Sequence, residues 1–280
     1  MIPMIRVGNS KSTRCDISNV IFEKSISGCI LVQNGGSLSL QNSIIRGNYG
    51  IIKGAGITIE RDGIVEMTNV IFQHNYAQTS FLEGVAGGGA LYVEAGASAY
   101  ISGGLLEYNM AVNSRGDAFG GAILNYGKLT ITSTLIQHNT AIGGEFNRHG
   151  ESGHAGNGNG GAIYHDGEIL SIMDSTIFNN SASRSGGAVF FTGDMELTRC
   201  TVRNNSAYMG SAFRSLSYTN NPRLMDCDIF WNSCEIERSS GQAITESYYP
   251  GQKSIPFDGT HGYIHYAGLP QQQISYYDDL

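Results

Sequence analysis

The densest group of reactive side-chain types falls between residues 140 and 160, where Glu145, Arg148, His149, Glu151 and His154 sit in a Gly-rich stretch that follows Arg115 and Asp117. Three chemistries draw on such residues. His149 and His154 are zinc-ligand types, but their spacing matches no strong metal motif. Asp117, Glu145 and Glu151 with Arg148 are what a calcium-assisted lyase would draw on: carboxylates to hold the cation and a basic group to remove a proton beside a uronate. Glycoside hydrolysis requires two facing carboxylates, and no Asp/Glu pair falls on a regular strand in this region. No catalytic set, cofactor or metal is therefore assigned, and these residues are expected to act as loop contacts.

What positions them is a repeat. An apolar-x-x-Asn segment ends at Asn48, Asn75, Asn109, Asn139, Asn180, Asn205 and Asn232, with a degenerate copy at Phe22 to Ser25. A small-small-apolar segment recurs at 89–91, 121–123, 161–163 and 187–189, with looser copies elsewhere. From the alanine of that segment to the next Asn the distance is nearly constant, 17 to 20 residues, whereas from the Asn onward it varies from 7 to 23. All large insertions thus gather at one corner, in segments 76–88, 110–120 and 140–160. Clustering on one side of a solenoid marks them as contact loops.

Within the constant stretch apolar residues alternate, as at Leu38 and Leu40, Leu129 and Ile131, or Leu170 and Ile172. That period of two is a strand signal, and turn-type residues separate the strands. A repeat of this size cannot bury its apolar face alone, so copies must stack, each strand pairing in parallel with its equivalent one coil away. The expected fold is all-β: a single-stranded right-handed parallel β-helix of about eight coils with three short strands each, about 38 Å long. Residues 1–11 read as a lead-in, 12–246 as the helix, and 247–280 as a Tyr- and Pro-rich cap or docking tail. Asn48, Asn75, Asn109, Asn139, Asn180, Asn205 and Asn232 then form a structural ladder of stacked amides.

Composition agrees. The 280 residues include 38 Gly, which stacked corners require, and only 15% are charged, against ~25% in ordinary globular domains. With 41% hydrophobic residues the chain can fill a core, which excludes a charge-rich disordered chain. A net charge of −7 without a basic patch argues against nucleic acid, and the short apolar runs argue against membrane insertion by this segment. The first residues lack a secretory leader pattern, so the expectation is that the chain either is not exported by that route or begins downstream of its leader.

Gly88 to Leu91, Gly120 to Ile123, Gly160 to Ile163 and Gly186 to Val189 spell GGA followed by an aliphatic residue, and Phe72 to Asn75 spells FxxN. On these motifs residues 12–246 resemble the polymorphic outer membrane protein repeat family of right-handed parallel β-helices, within the wider pectin-lyase-like fold. The resemblance implies a non-enzymatic surface adhesin or structural rod, located extracellularly or at the cell surface, whose partner is a glycan or a protein. Two alternatives stay open: a polysaccharide lyase or glycoside hydrolase of that fold, and a subunit of an extracellular filament or envelope assembly that self-associates, or continues the same chain, through its coil ends.

Three further expectations concern side chains. The residue after each inward apolar position should point outward, so that Tyr92, Leu124, Tyr164, Phe190 and Arg214 form a partly aromatic ligand or partner face unless inserted loops fold over it. Cys200 and Cys227 occupy equivalent positions in adjacent coils, with Cα atoms about 4.8 Å apart, within disulfide reach although their parallel directions oppose the bond; the alternative is an unbridged buried pair. Asn179 and Asn204 begin Asn-x-Ser triplets, point outward beside the ladder, and are glycan acceptors if the export route provides for it.

Overall fold

The computed structural model describes residues 3–8, 13–80, 84–144, 156–215, 222–234 and 264–266. Among them there is no helix, and the strands pair in parallel from coil to coil. One face is an eight-stranded sheet formed by Ile5–Val7, Ile30–Val32, Ile57–Ile59, Leu91–Val93, Ile123–Asn125, Ile163–His165, Val189–Phe191 and Phe213–Ser215. Its register is unbroken: Leu91 pairs with Ile57 and Ile123, and Ile163 with Ile123 and Val189. The chain is a parallel β-helix.

The second and third faces explain the alternating pattern. In Lys128–Thr132 and Ile169–Met173 the residues Leu129, Ile131, Leu170 and Ile172 are fully buried while their neighbours face out. After a turn, Leu135–Gln137 and Thr176–Phe178 bury only their middle residue. The turn between these strands takes a left-handed residue at Asn19, Asn42, Asn69, Ser133, Asp174, Arg199 and Asp226. Most are Asn or Asp, which tolerate that region because their short side chains bond locally. Inward residues of all faces join one continuous core from Val7 to Ile229.

Glycine is required most plainly in the GGA segment. Gly88, Gly120, Gly160 and Gly186 have φ of +63, +63, +70 and +68°, and the glycine after each faces the backbone of the next coil so closely that a Cβ would collide with it. The first position needs the conformation, the second the space.

Two segments differ from expectation. Ile5–Val7, placed in the lead-in, pairs with Ile30–Val32 and belongs to the stack. The expected contact loops are largely paired backbone over their described residues: Tyr76–Thr79, Met110–Asn113 and Thr140–Ile142 form a further strand after the Asn, and Ala86–Gly87, Ala118–Phe119 and Gly158–Asn159 pair in turn. Backbone one coil from its equivalent satisfies its polar groups by pairing rather than by looping into water. Of the tail, only Ile264–Tyr266 is described, as a strand parallel to Asp228–Cys234.

Candidate functional site

The Asn ladder organises one corner of the rod. Asn109 shows the pattern: its Oδ1 accepts from the N–H of Asn75 (3.2 Å) and from Asn75 Nδ2 (2.9 Å), while its own Nδ2 donates to the Phe72 carbonyl (3.0 Å) and to Asn139 Oδ1 (3.0 Å). Asn48, Asn75, Asn139, Asn180 and Asn205 repeat these bonds, and Asn232 closes the series by accepting from Asn205. The first copy fits as well, since the N–H of Ser25 donates to Asn48 Oδ1 at 2.9 Å. Every ladder amide is buried, so the corner backbone is held in the same place in each coil.

The residue before each ladder position, the Ser25 copy included, is left-handed, and its side chain, where it has one, points outward. In order these are Lys24, Gly47, His74, Tyr108, His138, Asn179, Asn204 and Trp231, with φ between +52 and +61°. Stacking of coils therefore stacks their side chains. His74 and Tyr108 lie 5.1 Å apart and 5° from parallel, and Tyr108 and His138 lie 4.9 Å apart and 7° from parallel. Tyr108 remains 44% exposed and His74 is exposed, whereas His138 is half-buried with Phe178 edge-on at 5.6 Å. Beside it Gln73 Nε2 and Gln137 Nε2 each donate to one oxygen of Glu107, both at 2.6 Å, which clamps three coils across the outer surface. On the other side of the ladder Tyr49 stacks on Tyr76 at 5.3 Å. Asn179, half-buried, and Asn204, exposed, continue the line of the rings.

The expected contact face lies elsewhere and is closed. Tyr92, Leu124, Tyr164 and Phe190 do turn away from the main core, but they form a second apolar cluster instead of an open surface. Phe119 stacks on Tyr164 at 4.3 Å, Tyr164 stacks on Phe190 at 5.0 Å, and Tyr126 meets both Tyr92 and Tyr164 edge-on. Leu124 is 0% exposed, and Arg214 is buried as well. Burial pushes the Tyr126 hydroxyl up to about 12 and raises that of Tyr164 further. The cover comes from the end of the inserted segment, Ala118–Phe119, which sequence spacing could not position over the stripe.

The other expected residues separate into three groups. Asp117 is engaged structurally: its Oδ1 accepts from the Asn157 N–H at 2.7 Å and from Asn157 Nδ2 at 3.2 Å. Glu145, Arg148, His149, Glu151 and His154 lie outside the described residues. Among the described residues no group of three or more His, Cys, Asp or Glu is placed to hold a metal ion. Cys200 and Cys227 are buried free thiols rather than a disulfide. Parallel alignment one coil apart keeps their side chains side by side, and each thiol donates to the carbonyl two residues back, Thr198 and Met225. Their contact and burial raise the Cys200 pKa.

Sequence reasoning missed two features. The ring column is visible as His, Tyr and His before three consecutive ladder Asn, at the position where Asn179 and Asn204 are expected to point outward, yet the rings themselves went unread. His165 is the other: it is fully buried, its Nδ1 accepts from Asn125 Nδ2 at 2.8 Å, and its Nε2–H donates to the Asp194 carbonyl at 3.0 Å. Burial lowers its pKa to about 4.

The coil that carries Thr176–Phe178, Asn180 and Gly186 to Val189 decides the comparison with known proteins. Residues 174–192 match the model of the Chlamydia polymorphic membrane protein repeat. The matched span runs from the turn at Asp174 through the ladder residue Asn180 to the GGA strand, and its residue at the ring position is Asn179. No curated protein and no solved structure matches the chain.

Proposed function

We propose that this chain is a section of a surface-displayed β-helical rod of adhesin type, which engages a protein partner through the corner that carries His74, Tyr108 and His138. The polymorphic membrane protein repeat at 174–192 supports a location at an outer membrane or cell surface. The observation that carries the contact role is the ring column itself: aromatic groups held in register by a buried ladder, with Tyr108 44% exposed. Exposed aromatics on a rigid frame lose little side-chain entropy on contact, which favours recognition. A protein suits the face better than a glycan. Within the column both faces of the central ring, Tyr108, are occupied by its neighbours, so a sugar finds its edge rather than a flat face on which to stack.

The test is attachment of beads coated with the chain to intact cells, before and after protease treatment of the cell surface. The expected result is protease-sensitive attachment that falls about tenfold in a Tyr108→Ser, His138→Ser variant, equal to ~1.4 kcal/mol. Attachment unchanged by the variant would reject this corner as the contact face, and selective retention on a glycan array with no protein-dependent attachment would reject the choice of partner.

A further inference from the structure

Along the line that carries the rings, one position has no side chain. Gly47 lies between Lys24 and His74, and no atom beyond its two chain neighbours lies within 4 Å of where its Cβ would stand. Coils repeat at about 4.8 Å, so the levels of Lys24 and His74 are about 9.6 Å apart. One ring inserted at the Gly47 level would meet His74 at the 4.9 to 5.1 Å spacing that the column already uses. Among the described residues Tyr108 is the one ring stacked on His74, and it takes only one face.

One edge of this slot keeps a net positive charge. Lys24 and Arg46, the residue before Gly47, share a single carboxylate, Glu23, at 3.9 and 2.8 Å, and the Lys24 side chain, beyond the slot, is 85% exposed. A positive group over a ring attracts the negative face of an aromatic quadrupole. On the far side of Asn48 the Tyr49–Tyr76 stack supplies an apolar flank.

We propose that the slot at Gly47 is a binding site for one aromatic side chain of a protein partner, which completes the column by stacking on His74 beneath Lys24. This rests on the reading of the corner as the contact face and specifies the chemistry of what it contacts.

The test uses the isotope-labelled full chain titrated with N-acetyl-tryptophanamide, read at the Gly47 amide and the His74 ring by nuclear magnetic resonance. The expected result is a saturable shift at both, with a dissociation constant on the order of millimolar. Gly47→Asn should weaken it at least tenfold by filling the slot; Asn already occupies this left-handed position at Asn179 and Asn204, so the backbone tolerates it. His74→Ser should abolish the shift at Gly47 by removing the wall. No saturable shift, a shift that survives both substitutions, or an equal response to methyl glucoside would overturn the proposal. Cell attachment lost in Tyr108→Ser but untouched by Gly47→Asn would likewise reject the slot while leaving the corner face in place.

Discussion

Two aromatic stripes run along this rod, built by the same stacking and ending in opposite states. The stripe of Tyr92, Leu124, Tyr164 and Phe190 is roofed by Phe119 and Tyr126 and buried. The column of His74, Tyr108 and His138 carries no such roof among the described residues, and its His74 and Tyr108 are exposed. Parallel coils place like positions above one another, so stacking alone makes a stripe. What separates a second core from an exposed face is whether an inserted segment returns across it. The buried stripe borders the variable corner that ends in Ala118–Phe119, whereas the open one lies on the short turn beside the ladder, where no insertion occurs.

Unequal energetic roles follow, and the sharpest test is truncation of one ring from each. Phe190→Ala should lower stability by about 4 kcal/mol, as expected for a buried aromatic, whereas Tyr108→Ala should cost less than about 1 kcal/mol. Urea unfolding measures both, and similar losses would erase the distinction. Asn139→Ala, beneath the open column, should cost about 3 kcal/mol, because it strips a partner from the buried Asn109 amide, the Leu106 carbonyl and Asn180. The ring shifts of Tyr108 and His138 should collapse in the same variant.

Acid should act on the covered side. His165 follows Tyr164 and is folded as the neutral imidazole, its pKa lowered to about 4 from 6.5. Folded protein then binds fewer protons than unfolded protein. The contribution is complete above about pH 6.5, is lost as pH falls towards about 4, and amounts to at most about 3 kcal/mol. Asp166 and Asp194 lie close enough to favour the charged form and oppose the shift, but burial dominates. Denaturation midpoints across this window should fall steeply in the wild type and stay flatter in His165→Gln. The roof itself should matter less than the stripe beneath it. Phe119→Ala should bring the raised hydroxyl pKa of Tyr164 downward by admitting water, as ultraviolet titration would report, with a stability cost of about 1 to 2 kcal/mol.

Much of this was legible in the residues. Period-two apolar spacing, a fixed 17 to 20 residue interval and recurrent Asn identify coils, their register and the corner that stays short. Each of these depends on neighbours in sequence or on equivalent positions of adjacent repeats, which strict stacking turns into contacts. The insertions were different. Their composition suggested open loops, yet backbone pairing at Met110–Asn113 and Ala118–Phe119 draws the segment into the sheet and over the stripe. His165 was only half legible: Asn125 is its equivalent one coil away, but nothing in the repeat marks Asp194, 29 residues on, whose carbonyl takes the Nε2–H.

By itself, then, the sequence determined the parallel coils, the buried amide ladder and which side chains point away from the core, since all three follow from local alternation repeated at constant spacing. Only the tertiary structure decided which outward side chains meet water. That depends on where an irregular segment comes to rest after its backbone has found hydrogen-bond partners, and no spacing rule carries that information.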